Sequence, residues 1–73
     1  MRIHIFKAQG NLYGFTRDPS GANLPANRGA WSAFKAIEIS ENHPVPRTGV
    51  NEADILMGIQ NQGFYLTNRW TDE

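Results

Sequence analysis

Seventy-three residues with no cysteine and a formal net charge of zero allow one small domain and exclude a disulfide framework or a thiolate metal site. The zero balance argues against a general polyanion binder, and no apolar run approaches the ~20 residues of a membrane span. A chain of this size buries only about 60% of the surface that unfolding exposes, so its core is thin and association is an available source of stability.

Arg2-Ile3-His4-Ile5-Phe6-Lys7-Ala8 alternates at period two and reads as a strand. The same alternation leaves no secretory apolar core after Met1. With the absence of cysteine, it points to the cytoplasm. Gly10-Asn11 suits a two-residue hairpin turn, and Leu12-Tyr13-Gly14-Phe15-Thr16 is the returning strand. That turn sets Phe6 opposite Phe15 and Ala8 opposite Tyr13, on one face with His4 and Arg17. Ile3, Ile5, Leu12 and Thr16 take the other. Both faces are then apolar, and one helix can cover only one of them.

Asp18-Pro19-Ser20-Gly21 is a turn signal, since proline presets φ and Asp bonds the backbone ahead. The stretch from Arg17 to Gly29 lacks periodicity, and a loop that long in a small domain is often functional. Ala22, Leu24 and Ala26 offer it a way to lie flat on the sheet. Residues 31–40 fit two periods. Trp31, Phe34 and Ile37 suit a helix, while Lys35, Ile37 and Ile39 suit a strand. The favoured reading is a helical turn near Trp31 and a strand from Phe34 to Ser40.

Residues 41–49 read as a loop, in which Pro44 and Pro46 make a stiff connector. Asn51 is a good N-cap, followed by Asp54, and Val50 with Ile55 fits a hydrophobic staple. Ile55, Leu56 and Ile59 form the helix's apolar stripe, and Gly63 ends it. Phe64–Thr67 is a last strand, and the tail 68–73 is polar apart from Trp70. The expected fold is α+β: one domain over 1–73, a small, mainly antiparallel sheet in the order β-β-β-α-β, with one helix on one face.

The segments GFTRDPSGANLP (14–25), GAWSAFKAIEIS (29–40) and GVNEADILMGIQNQGFYLTN (49–68) resemble a group of small uncharacterised bacterial proteins that open on a similar hairpin. The resemblance implies a bacterial, cytoplasmic protein and no particular activity or site.

The residues themselves carry no chemical signature. His4 and His43 belong to no metal-ligand motif, so no metal is expected, and nothing implies a cofactor. Ser20 and Ser32 lie in no nucleophile elbow. Glu52 and Asp54 have a structural place at the helix N-terminus, as Asp18 does in its turn. If the 17–29 loop binds a ligand, Arg17, Asn23, Arg28 and Lys35 supply its donors. A pocket holding Arg17, Asn23 or Lys35 beside a carboxylate or histidine would mark an enzyme or ligand binder.

Charge is uneven along the chain. Arg2, Lys7, Arg17, Arg28 and Lys35 against Asp18 give residues 1–37 a balance of +4. Arg47 and Arg69 against Glu38, Glu41, Glu52, Asp54, Asp72 and Glu73 give 38–73 a balance of −4. The basic half, with His4, Tyr13 and Phe15, makes nucleic-acid binding the alternative reading. The leading reading is a non-enzymatic protein-interaction domain that self-associates, with Phe6, Tyr13 and Phe15 as interface candidates and Trp70 as an exposed anchor.

Overall fold

Strands β1 (Arg2–Ala8) and β2 (Leu12–Thr16) pair antiparallel at the centre of the sheet. The fold is a computed structural model that describes residues 1–28, 30–44, 46, 47 and 50–68, without the side chains of residues 28, 46, 47 and 50. β3 (Ser32–Glu38) pairs with β1, and a final strand, Phe64–Thr67, pairs with β2. All three pairings are antiparallel, and the helix α1 (Glu52–Gln62) packs on the final strand and β2. Two two-residue strands, β4 (Pro46–Arg47) and β5 (Val50–Asn51), pair with each other just before the helix, the first inside the stretch read as plain loop and the second on the residues read as the helix's staple and N-cap. Numbering the final strand β6, the main sheet runs β3-β1-β2-β6. The α+β class and the order of the main elements are as expected.

The hairpin register is not. Ala8 faces Leu12, Lys7 faces Tyr13, Phe6 faces Gly14 and Ile5 faces Phe15. The connection therefore holds three residues, Gln9 to Asn11, and both Gly10 (φ 76°) and Asn11 (φ 59°) are left-handed. Glycine meets that demand without strain, and asparagine is among the few other residues that tolerate it. One added loop residue moves all of β2 to the opposite face relative to β1. Tyr13 and Phe15 thus join Ile3 and Ile5 instead of Phe6 and Ala8.

This register gathers the core. Ile3, Ile5, Tyr13, Phe15, Ile39 and Ile55 are buried together, with Leu56, Ile59 and Tyr65 packed against them. The Phe15 and Tyr65 rings meet at 6.0 Å and 58°, a tilted contact that aromatic quadrupoles favour. The helix is held at both ends by its own local chemistry. Asn51 Oδ1 accepts from the Ala53 N–H at 3.1 Å, and left-handed Gly63 donates its N–H to the Ile59 carbonyl at 2.8 Å. Gly58 lets the helix approach closely, since a Cβ there would stand 2.8 Å from the Tyr65 ring and 3.1 Å from the Phe64 carbonyl oxygen. The staple between Val50 and Ile55 lies outside the described side chains.

The opposite face is covered by the chain's own 17–31 segment. Leu24 is buried and its methyls pack on Gly14, where a Cβ would stand 2.9 Å away. Trp31 flanks the same glycine, 3.1 Å from where that Cβ would stand, and its indole N–H donates to the Pro25 carbonyl at 2.9 Å. Gly21 lies on the Phe6 ring. Of the three residues expected to hold this loop flat, Leu24 is buried, while Ala22 and Ala26 are exposed. Trp31 starts no helical turn. A 3₁₀ turn lies earlier, at Ala26–Arg28, and the strand that follows starts at Ser32 and ends at Glu38.

Candidate functional site

The residues named as binding donors do not converge. Asn23 is committed to the fold: its Oδ1 accepts from the Thr16 hydroxyl at 2.8 Å, and its amide donates to the Gly63 carbonyl at 2.8 Å. Thr16 is fully buried, and its oxygen also accepts from the Asp18 N–H at 3.1 Å. Asn23 thereby fastens the loop to the end of α1. Lys35 stands on β3 opposite Ile5, on the helix side of the sheet and not on the Phe6 face where the loop packs. The Arg28 side chain and Trp70 lie outside the described residues. Phe6, Tyr13 and Phe15 are each under a tenth exposed and sit on both faces, Phe6 under the loop and the other two under the helix side. As candidate contact residues they are occupied within the single chain.

Asp18 is likewise a turn former. Its Oδ1 accepts from the Ser20 hydroxyl at 2.7 Å and the Ser20 N–H at 2.9 Å, and these bonds, the hydroxyl first, hold its carboxyl below the ordinary value. The Gly21 N–H closes the turn onto the Asp18 carbonyl at 3.0 Å.

Arg17 does reach a concave surface. A groove of about 590 Å³ is lined by Met1, Arg17, Glu41, Leu56, Ile59 and Gln60. Met1 is fixed there because its amine donates to the Ile39 carbonyl and its own carbonyl accepts from Ile39, both at 2.9 Å. Leu56 and Ile59 are one turn apart on α1 and give the groove an apolar floor. Arg17 and Glu41 put opposite charges on its rim. Sequence reasoning singled out Arg17 and missed Glu41, which follows the buried Ile39 by two residues. Among the described residues the lining includes one carboxylate, Glu41, which is exposed, without the burial that tunes a carboxyl for acid–base work.

The second candidate surface is an edge. β3 borders the sheet, and every residue of it except Ile37 is exposed, including Phe34 at 38%. Its pairing with β1 shifts between Ile5 and Phe6: Ile5 faces Lys35 and Phe6 faces Ala33, leaving Phe34 as the extra residue of a bulge. The Phe34 ring leans on Tyr13 at 5.7 Å, and the Lys7 ammonium stands 5.6 Å from the Tyr13 ring centre. The Arg2 guanidinium donates to Glu38 at 3.1 Å. The residues suggested for a basic, aromatic nucleic-acid face are divided, with Lys7, Tyr13 and Phe15 on the helix side and Arg2 and His4 on the loop side.

Among the described residues, no group of three or more His, Cys, Asp or Glu could hold a metal ion, and no helix is long and apolar enough to cross a membrane. No family model matches the chain, and no curated protein or solved structure matches it.

Proposed function

We propose that this chain is a cytoplasmic, non-enzymatic protein-interaction domain that associates with itself. The observation that carries the reading is β3, a seven-residue edge strand whose Ala33, Phe34 and Ala36 stand exposed. Both central faces are packed, one by α1 and the other by Leu24, Gly21 and Trp31, and among the described residues the large hydrophobic side chains left exposed are Phe34 on this border and Met57 on α1. A strand at the border of a sheet is the usual template for strand addition. Sedimentation across a concentration series tests it. The weight-average mass should climb from 8.2 kDa toward twice that value, and a chain that stays at 8.2 kDa at high micromolar concentration counts against self-association.

A second reading, ligand binding at the Met1–Arg17–Glu41 groove, is favoured by the two opposite charges above one apolar floor. An NMR titration with a panel of zwitterionic aliphatic compounds should move the Leu56 and Ile59 methyl signals, and Arg17→Glu should abolish the shifts. Unmoved methyls at millimolar ligand would discard this reading.

A further inference from the structure

We propose that residues 18–25 form a lid that lifts from the sheet as one unit, with Asn23 as its clasp. The segment is bonded mainly to itself. The Ser20 N–H and hydroxyl both close on Asp18 Oδ1, and the Gly21 N–H closes on the Asp18 carbonyl at 3.0 Å. The Ala22 N–H donates to the Ser20 hydroxyl at 3.3 Å, and the Leu24 N–H to the Gly21 carbonyl at 3.1 Å. Among the described residues, no backbone–backbone hydrogen bond ties this segment to a strand or to α1. A short loop closed by its own bonds is a compact body in its own right.

Every polar fastening to the rest of the chain involves a side chain. At the near end, the Asp18 N–H rests on the Thr16 hydroxyl oxygen at 3.1 Å. The others fall on three consecutive residues. Asn23 bonds Thr16 on one side and the Gly63 carbonyl on the other, both at 2.8 Å. Leu24, 6% exposed, fills the notch above Gly14. The Pro25 carbonyl accepts from the Trp31 indole at 2.9 Å. Proline fixes its own φ and confines the residue before it to extended backbone, so Leu24 and Pro25 form a stiff pair. A stiff stretch held at three successive points on three different partners releases them together. Asn23 itself is exposed, so water stands ready to replace its two bonds, and the clasp is reversible. Lifting uncovers the Phe6 ring, on which Gly21 lies, and the notch that Leu24 fills. The lid therefore decides whether the hairpin's second face is packed or bare.

Hydrogen exchange of the Trp31 indole proton in the full chain reads the lid at a fastening that Asn23 does not make. In the wild type, that proton should exchange through an opening at least roughly tenfold more frequent than the one that frees the Ile5 and Phe15 amides on the central strands. Its dependence on denaturant should be shallower, because lifting exposes less surface than unfolding. Asn23→Ala removes two bonds that only the closed state holds, and should raise the Trp31 rate roughly tenfold while keeping the shallow dependence. Asn23→Asp, which can still accept from Thr16 but no longer donates to Gly63, should raise it in the same direction. A Trp31 rate unchanged in both variants means that the fastenings release separately, and overturns the lid. A wild-type Trp31 proton that exchanges only as often as the Ile5 and Phe15 amides, with their steep dependence, means no opening short of unfolding and overturns it as well.

Discussion

Phe15→Ala should cost about 3–5 kcal/mol of folding stability and lower the melting temperature by upwards of about 12 °C. Phe15 is fully buried on β2, an interior strand flanked by β1 and β6, and lies within the cluster of Ile3, Ile5, Tyr13, Ile39 and Ile55. Removing its ring deletes apolar contact and leaves a cavity that strands on both sides keep open. The tilted contact with Tyr65 is lost as well. A 73-residue domain has only about 4–11 kcal/mol to lose on the usual per-residue scale, so the variant stands near the edge of folding. Phe34→Ala, at the exposed border, should cost below about 1 kcal/mol. Thermal denaturation of the two variants measures the contrast. Equal losses would mean that the core does not lie between β2 and α1.

What the sequence disclosed and what it withheld follow from the range of the interactions involved. The helix ends were legible because Asn51 and Gly63 act on backbone groups one turn away. The hairpin was legible because its alternation and its Gly10-Asn11 pair are local. Its register was not. Apolar residues occupy both parities of β1, Ile3 and Ile5 on one and Phe6 and Ala8 on the other, so the pattern alone satisfies two alignments. Burial chose between them through β6 and α1, which contribute Tyr65 and Ile55 from the far end of the chain. Residues 31–40 fitted two periods for a similar reason, and pairing with β1 decided for the strand. The groove draws on Met1, Arg17, Glu41 and one face of α1, which only the fold brings together. Arg17 was visible as a loop cation. Nothing local distinguished Glu41 from the other exposed carboxylates.

The question the alternating hairpin raises, what covers its second face, leads to Leu24→Ala, with an expected loss of about 2–5 kcal/mol. Leu24 is 6% exposed, and its two methyls would stand 2.9 and 3.2 Å from a Cβ built on Gly14. The missing side chain at Gly14 is the space that Leu24 fills. Gly14→Ala alone should therefore be overpacked and lose about 1–3 kcal/mol. Combined, the two substitutions should cost less than their sum by about 0.5–3 kcal/mol, because the new methyl occupies part of the vacated volume. Relief should stay incomplete, since Trp31 still stands 3.1 Å from that methyl. Denaturant unfolding of the two single variants and the double completes the cycle. Strict additivity would sink the idea that the loop closes the second face. It would also undo the register, because the two-residue turn would carry Gly14 to the face beneath α1 and out of reach of Leu24. If the coupling is found, the chain packs both sides of its central hairpin by itself.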